Sequence, residues 1–273
     1  MNKRFGLLGE TLSYSLSPKI HQMIYDTLSV EATYELVEIP MEAFAGELTR
    51  ARLKRLDGFN VTTPYKELIF QQLDDIDPIA ARIGAVNTVI NENGKFKGYN
   101  TDYYGFMISI STIGFKTRHR AVVLGTGGAA KMAVIALEDL GFEEIVILSR
   151  NPNNARLKFE KHTCIDYDLF NRQSIASDLL VNCTPVGQKV IEVTETIENE
   201  ALSRQGFLFD LNYTPLETPL LAQGHALGIR GKNGIEMLVA QAVKANEIWL
   251  HMPHSLEKIT REITDKILET TLK

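Results

Sequence analysis

Residues 120–150 read RAVVLGTGGAAKMAVIALEDLGFEEIVILSR, and this stretch decides the fold of the second half of the chain. A short apolar run at 121–124 is typical of a buried strand, and it ends at a glycine-rich turn. A helical pattern follows through Leu140, Gly141 ends it, and a second apolar run occupies 145–148. The order strand, glycine turn, helix, strand predicts a dinucleotide-binding unit of the Rossmann type.

The glycine turn has the spacing G-x-G-x-x-A. Gly125 permits the tight turn, Gly127 lets the backbone approach a pyrophosphate, and Ala130 is small where the helix packs on the sheet. Gly128 and Ala129 open the helix, whose first N–H groups can bind phosphate. Glycine-rich turns also simply connect strands to helices, but the flanking strands and helix favour a dinucleotide site.

The end of the second strand indicates which dinucleotide binds. An NAD site usually places Asp or Glu about 20 residues beyond the glycines, whereas an Arg there accommodates a 2′-phosphate. Here the strand ends in Ser149, Arg150 and Asn151, without a carboxylate. Arg150 supplies a planar cation and its neighbours can add hydrogen bonds. A solvated surface arginine is the alternative, and the position favours NADP as the cofactor.

Length and composition limit the classes of protein to consider. With 273 residues, 44% of them hydrophobic, the chain is expected to form two domains. A net charge of -5 argues against a nucleic-acid partner or an anionic membrane surface, and no segment is apolar enough to span a bilayer. Cys164 and Cys183 fit reduced, buried thiols better than a disulfide or a metal site. We therefore expect a cytoplasmic protein without a metal.

The first half alternates strand and helix patterns. Strands are predicted at 5–8, 34–39 and 58–61, and helices from Ser17 and over 41–56. This alternation predicts a parallel sheet with crossover helices. The fold class is therefore α/β, with a substrate domain at 1–102 and a doubly wound dinucleotide-binding domain at 103–234. Residues 235–273 form C-terminal helices, including an amphipathic helix from Ser255 to Leu268, that return to the first sheet.

Two serines lie where the first helix begins. Ser15 and Ser17 are near the positive helix end, where a small carboxylate can bind. Ser17 also fits an N-cap, with Pro18 in the first turn, and a cap needs no ligand. That alternative leaves Ser15 unexplained, so both interpretations stay open.

A lysine and an aspartate follow two strand-like segments. Thr63 resembles an N-cap and Pro64 a first helical residue, which places Lys66 in a first turn, where the helix dipole disfavours an ammonium group. Such a lysine suits proton transfer, although a lysine that projects into water is the alternative. Asp102 follows a predicted hairpin and marks the crossing into the nucleotide domain, and it also fits a simple helix cap.

Two further residues are candidates for ligand contacts. Thr184 comes directly after the apolar strand at 179–182, at the end of the strand where open α/β sheets bind ligands. Gln241 lies on the helix that follows Asn233 and Gly234, where it is also compatible with a solvated helical residue.

Seven stretches in this order resemble the shikimate dehydrogenase family over nearly the whole chain. They are SLSP at 15–18, NVTTPYK at 60–66, GAVNT at 84–88, YNTD at 99–102, GTGGAA at 125–130, DLNYTP at 210–215, and GIEML at 234–238 followed by Gln241. The resemblance implies reversible reduction of 3-dehydroshikimate to shikimate by NADPH.

The resemblance also implies roles for single residues. Ser15 and Ser17 are expected to hold the substrate carboxylate, and Lys66 and Asp102 to flank the reacting oxygen. The substrate ring hydroxyls are expected to be held by Asn60, Thr62, Asn87 and Gln241. Gly234 and Met237 are expected to border the nicotinamide, and Tyr213 to close the site.

The chain departs from the family pattern at a few positions. Thr11 and Tyr14 replace a usual Pro and His, Asn154 replaces a frequent second Arg, and Gln188 replaces a common Met. A quinate/shikimate dehydrogenase or another cyclic hydroxy-acid dehydrogenase of the same superfamily is the nearest alternative. A non-catalytic NADP-binding regulatory module is another, which the presence of both Lys66 and Asp102 disfavours. Monomer and homodimer are both compatible with the sequence.

Overall fold

The computed structural model describes residues 3–13, 15–186, 197–252 and 256–271. Tyr14, Gln188 and Ser255 lie outside these ranges. The chain divides into two compact units, Met1–Ser109 with Leu238–Lys273, and Ile110–Met237. The sequence predicts boundaries after residues 102 and 234.

The first unit contains a six-stranded mixed sheet. Its strands are β1 (Lys3–Gly9), β2 (Ala32–Glu38), β3 (Gly58–Val61), β4 (Asp75–Ile76), β5 (Thr88–Glu92) and β6 (Lys95–Tyr99). They lie in the order β2-β1-β3-β5-β6-β4. β1 is parallel to β2 and β3, whereas β5 is antiparallel to β3 and β6. The register sets Asn60 of β3 beside Leu7 on one side and Thr88 on the other, so Asn60 lies in the middle of the sheet.

The helices of this unit connect and cover the strands. They are α1 (Ser17–Leu28), α2 (Glu47–Leu53), α3 (Tyr65–Leu68), α4 (Pro78–Ile83) and the greater part of α5 (Thr101–Ser111), with 3-10 turns at Met41–Ala43 and Ile69–Gln72. The single helix expected over 41–56 is wrong, because Gly46 has an extended backbone and α2 begins after it. In α2, Ala51 is exposed and Leu53 is buried.

Two helices end the chain, α11 (Ile235–Leu250) and α12 (Leu256–Thr271). Residues from Leu238 onward belong to the first unit, as the sequence predicts. Trp249 of α11 stacks on Phe5 of β1 with ring centroids 4.5 Å apart, and its Nε1 donates to the Val89 carbonyl at 2.9 Å. A Cβ on Gly58 would lie 2.4 Å from the Trp249 ring, so this packing requires glycine in β3.

The second unit is a parallel sheet with helices between its strands. Its strands are β7 (Arg120–Leu124), β8 (Glu144–Leu148), β9 (Thr163–Ile165), β10 (Leu179–Asn182), β11 (Leu208–Asp210) and β12 (Gly231–Asn233). They lie in the order β12-β11-β10-β7-β8-β9, and every pairing is parallel. If β7 to β12 are numbered 1 to 6, the order read from the β9 edge is 3-2-1-4-5-6. This is the doubly wound order of dinucleotide-binding domains. The fold class expected from the sequence is therefore confirmed.

The connecting helices of this unit are α6 (Gly128–Asp139), α7 (Pro152–Lys158), α8 (Tyr167–Gln173), α9 (Asn199–Leu202) and α10 (Pro219–Ala226). Strand residues such as Val122, Val146 and Leu180 are buried, because a parallel sheet is covered on both faces. The order of strands reverses between β7 and β10, and ligands of such sheets bind at the carboxyl ends there. Within the described ranges, no helix combines the length and the apolar character needed to cross a membrane.

Candidate active site

The start of α1 brings the two serines together. The helix begins at Ser17, with Leu16 at the N-cap position and no side-chain hydrogen bond to cap it. Ser17 as an N-cap is therefore wrong. The Ser15 Oγ instead accepts a hydrogen bond from the Ser17 N–H at 3.2 Å, which holds the loop before the helix. Both side chains are half-buried, and each hydroxyl hydrogen can be donated to a ligand.

Lys66 and Asp102 form an ion pair with Nζ and Oδ2 2.7 Å apart. The two side chains are 34% and 21% exposed, so the pair is accessible to a small molecule. Helix α3 begins at Tyr65, after Pro64, and no side chain caps it, so the expected roles of Thr63 and Pro64 are wrong. Because α3 is a single turn, its dipole is a weak influence, and the Asp102 carboxylate is the main partner of the ammonium group.

Asp102 is available for this pairing because another residue caps α5. The Asn100 Oδ1 accepts from the Tyr103 N–H at 3.1 Å, and its Nδ2 donates to the Ala85 carbonyl at 2.9 Å. The alternative that Asp102 serves as the helix cap is therefore wrong. The Lys66 carbonyl in turn accepts from the Val86 N–H at 2.8 Å. Ala85 and Val86 thus hold both the Asn100 cap beside Asp102 and the backbone of Lys66.

A buried polar cluster lies beside this pair. The Thr101 N–H donates to Asn87 Oδ1 at 2.6 Å, and Asn87 Nδ2 donates to Thr101 Oγ1 at 3.0 Å. The hydroxyls of Thr88 and Thr101 are 2.9 Å apart, and Thr101 Oγ1 also donates to Gln241 Oε1 at 3.4 Å. Asn60, Asn87 and Gln241 are all less than 9% exposed. A solvated Gln241 is therefore excluded.

The sequence did not predict some residues in and around the buried polar cluster. Thr88 and Thr101 complete the cluster, and Tyr34 donates to Asn60 Oδ1 at 2.7 Å. Threonines within two of the family motifs were the available signal, whereas Tyr34 lies in a strand with no such mark. Thr62 is half-buried at the end of β3, where its N–H donates to the Leu8 carbonyl.

The glycine turn of the second unit has the geometry that its sequence predicts. Gly125 has φ +103°, and a Cβ there would lie 3.0 Å from Thr184 Cγ2, so a side chain would be both strained and crowded. A Cβ on Gly127 would meet no described atom within 4 Å, which leaves that space for a ligand. Gly127 is the N-cap of α6 and no side chain caps this helix. Ala129 is exposed, whereas Ala130 is fully buried against the sheet.

The loop after β8 carries Arg150. Ser149 Oγ accepts from the Asn151 N–H at 3.1 Å, and Asn151 Oδ1 accepts from the Asn154 N–H at 3.0 Å, capping α7. Arg150 is exposed and forms no ion pair with any described residue. Lys158, one turn beyond Asn154, places Nζ 3.3 Å from the Thr126 carbonyl in the glycine turn.

A third loop is held at the ends of β10 and β11. Thr184 donates from N and Oγ1 to Asn182 Oδ1 at 3.0 and 2.7 Å, and its carbonyl accepts from Asn212 Nδ2 at 2.9 Å. Asp210 accepts from Asn182 Nδ2 and Thr218 Oγ1 at 3.0 and 2.6 Å. Burial raises the pKa of Asp210, and these hydrogen bonds oppose the shift. This network sets the position of Thr184.

Three further predicted residues lie in the same part of the chain. A Cβ on Gly234 would lie 2.1 Å from the Leu211 carbonyl oxygen, so only glycine fits there. Tyr213 is partly exposed, and burial raises the pKa of its phenol, which therefore stays a hydrogen-bond donor at neutral pH. Met237 is partly exposed at the start of α11.

Comparison with known proteins identifies the family. The family model described as shikimate dehydrogenase substrate binding domain matches residues 7–89. A shikimate dehydrogenase (NADP(+)) of Clostridium botulinum is 38% identical over 245 residues, which cover 89% of this chain and 95% of that protein. The chain belongs to the shikimate dehydrogenase family. The assignment drawn from the seven sequence motifs is thereby confirmed.

Solved structures of the shikimate dehydrogenase family agree with this assignment. Shikimate dehydrogenase 1 from Peptoclostridium difficile matches with a TM-score of 0.85 and 36% identity, covering 100% of both chains. The Thermus thermophilus enzyme, solved in complex with NADP(H) and shikimate, matches with a TM-score of 0.82 and 31% identity, covering 96% of this chain and 99% of that one.

Proposed function

We propose that this chain catalyses the reversible NADPH-dependent reduction of 3-dehydroshikimate to shikimate. The observation that carries the proposal is the 2.7 Å ion pair between Lys66 and Asp102, in the same unit as a serine pair and a buried amide cluster. Membership of the shikimate dehydrogenase family supports the choice of substrate.

The first unit binds the substrate. Ser15 and Ser17 donate their hydroxyls to the substrate carboxylate at the start of α1, where the helix N-terminus also favours an anion. The ring hydroxyls are held by a set of polar side chains at the edge of the buried cluster, Asn60, Thr62, Asn87 and Gln241. Tyr213 is the remaining substrate-binding residue that the family resemblance implies, and its phenol is a hydrogen-bond donor.

Lys66 and Asp102 move the proton. NADPH, when bound, supplies the hydride. As negative charge builds on the carbonyl oxygen of the substrate, the Lys66 ammonium donates a proton to that oxygen. In the reverse direction the Lys66 amine accepts the proton of the hydroxyl. Asp102 orients the lysine and balances its charge through the 2.7 Å contact.

The second unit fits NADP. The open space at Gly127 and the uncapped start of α6 leave room and N–H donors for the pyrophosphate. Gly125 lies in the turn, and Gly128, Ala129 and Ala130 are the first residues of α6. Arg150 would bind the 2′-phosphate, supported by its neighbours Ser149 and Asn151. Lys158, which contacts the Thr126 carbonyl of the glycine turn, would add a second positive charge. Gly234 and Met237 would border the nicotinamide, and Thr184 would contact the cofactor at the end of β10.

We propose that the protein is a cytoplasmic enzyme that acts on a small molecule. Cys164 and Cys183 are both free thiols, as expected in a reducing compartment. The net charge of -5 supports a protein that acts without nucleic acid. Monomer and homodimer are both compatible with this function.

Initial rates with shikimate and with quinate, each offered NADP and NAD, test the proposal. We expect the fastest turnover with shikimate and NADP. Comparable rates with quinate would assign the chain to the broader quinate/shikimate dehydrogenases. Binding of NADP without turnover of either acid would refute the proposal and favour a regulatory module.

A further inference from the structure

The Tyr34 side chain contacts a residue that the proposed function assigns to the substrate. Its hydroxyl donates to Asn60 Oδ1 at 2.7 Å. We propose that Tyr34 is a positioning residue that fixes the Asn60 amide as a hydrogen-bond acceptor for substrate, while Asn87 is fixed as a donor. This inference rests on the proposed function, because it concerns the same substrate.

Backbone partners establish the orientation of the Asn60 amide. Asn60 Nδ2 is 3.3 Å from the Asn87 backbone carbonyl, which can only accept, and 3.0 Å from Thr88 Oγ1. Both amide hydrogens are therefore used within the protein. The oxygen must then face Tyr34, whose hydroxyl occupies one of its two lone pairs. Asn60 can offer substrate one acceptor and no donor.

Asn87 has the opposite polarity. Its Oδ1 accepts from the Thr101 backbone N–H at 2.6 Å, and the hydroxyls of Thr88 and Thr101 each lie 3.2 Å away. A backbone N–H can only donate, so this contact fixes the oxygen end of the amide. Asn87 Nδ2 uses one hydrogen on Thr101 Oγ1, at 3.0 Å, and retains the other. Asn87 can offer substrate a donor and no acceptor.

This fixed polarity bears on which substrate oxygen lies where. The reacting oxygen is a carbonyl in one direction of the reaction, and a carbonyl can only accept hydrogen bonds. It is compatible with donors from Asn87 and Lys66, but not with Asn60. Asn60 therefore holds a ring hydroxyl that keeps its proton throughout the reaction.

The surroundings of Tyr34 keep its hydroxyl a donor. Burial raises the pKa of the Tyr34 phenol well above its usual range. The ring stacks on His21 with centroids 4.1 Å apart and planes at 12°. Burial lowers the pKa of His21 to about 3, so the stacked ring is neutral. Asn246 Nδ2, held by the Ala242 carbonyl at 2.9 Å, contacts His21 Nδ1 at 2.9 Å and orients the imidazole.

Tyr34→Phe removes the hydroxyl and keeps the stacked ring. We expect the variant to raise KM for shikimate about threefold to tenfold, as loss of one hydrogen bond predicts, with kcat within about twofold. The ratio of variant to unaltered KM should stay constant from about pH 6 to pH 9, because Tyr34 does not ionise there. Tyr25→Phe is the matched control, since the Tyr25 hydroxyl is buried and has no hydrogen-bond partner among the described residues. This control should leave KM unchanged.

A double-mutant cycle separates positioning from a general structural effect. In an Asn60→Ala background, Tyr34→Phe should change the dissociation constant for shikimate by less than about twofold, because Tyr34 acts through Asn60. Asn60→Ser serves if Asn60→Ala does not fold. An undiminished effect of Tyr34→Phe in this background, or an equal effect of Tyr25→Phe, would overturn the inference. If the unaltered protein fails to bind shikimate, the proposed function fails and the inference with it, whereas normal binding with an unaffected Tyr34→Phe variant refutes the inference alone.

Discussion

Lys66 Nζ and Asp102 Oδ2 are 2.7 Å apart although 36 positions separate the two residues in the sequence. Lys66 comes from the single turn that follows β3, and Asp102 from the first turn of α5. Neither residue has a role in holding its own helix, because Asn100 caps α5 and no side chain caps α3. The pair is therefore free to act on a bound molecule.

Replacing Lys66 should remove the proton donor while leaving substrate contacts in place. We expect Lys66→Ala to lower kcat by about 10² to 10⁴, the usual contribution of a positioned acid or base, with little change in KM for shikimate. Steady-state rates in both directions provide the measurement, with Lys95→Ala, exposed at the start of β6, as the control. A folded Lys66→Ala protein with close to the original turnover would show that Lys66 is only a solvated surface residue.

Asp102 should act as one unit with Lys66. Asp102→Asn keeps the shape of the side chain but removes the charge that orients and balances the ammonium group, so kcat should fall. Residues that act together show non-additive losses. We therefore expect the Lys66→Ala, Asp102→Asn double variant to be nearly as active as Lys66→Ala. Multiplied losses in kcat would indicate independent roles.

Arg150 should set the preference for NADP. Arg150→Ala should raise KM for NADP about tenfold, the lower part of the range for a hydrogen bond to a charged group, because the side chain is exposed. KM for NAD should barely change. Lys158→Met should act in the same direction with a smaller effect, and Lys161→Met, a nearby exposed lysine, is the matched control. Equal use of NADP and NAD by the unaltered protein would contradict this prediction.

Ser15 and Ser17 should contribute jointly to carboxylate binding. Hydrogen bonds to charged groups are worth roughly 1.5 to 3 kcal/mol, so each Ser→Ala change should weaken shikimate binding about tenfold or more. Titration calorimetry with shikimate measures the loss, and affinity for NADP controls for folding. Unchanged shikimate affinity in the double variant would leave the serines with only the loop contact between Ser15 Oγ and the Ser17 N–H.

Asp178 should make the second unit sensitive to acid. Burial alone would raise its pKa, but hydrogen bonds from Thr117, Arg120 and His119 outweigh burial and hold the pKa below its ordinary value. A depressed carboxylate pKa stabilises the fold above the unfolded-state pKa of about 3.9, and this stability is lost as the pH falls through the lower folded-state value.

Asp178→Asn should therefore lower the free energy of unfolding at pH 7 by about 1 kcal/mol, a modest value because the carboxylate is partly exposed and screened. Urea unfolding at pH 7 and at pH 3 measures the difference, which should shrink at the lower pH. Glu160→Gln, at an exposed position, is the control. A difference that stays constant with pH would contradict the prediction.

Much of the fold could be predicted from the sequence because the deciding features are local. The spacing of Gly125, Gly127 and Ala130 sets the backbone of the turn, and the apolar runs on either side set the strands. The prediction of NADP also rested on a local feature, Arg150 at the end of the strand that follows the glycine turn and its helix. Helix starts were less predictable, because a serine or threonine beside a proline fits more than one place at a helix end. A helix cap was one of two interpretations for Ser17 and the interpretation given to Thr63, and neither residue caps a helix.

The sequence by itself determined the doubly wound unit, the return of the C-terminal helices and the family, since periodicity, glycine spacing and short motifs are readable along the chain. Only the tertiary structure decided that Lys66 pairs with Asp102, that Lys158 reaches the Thr126 carbonyl, and that Tyr34 orients Asn60. A side chain's hydrogen-bond partner depends on which strands and helices approach it. That approach is set by the packing of the whole unit. A backbone carbonyl or N–H from a distant segment then fixes which end of an amide faces the ligand.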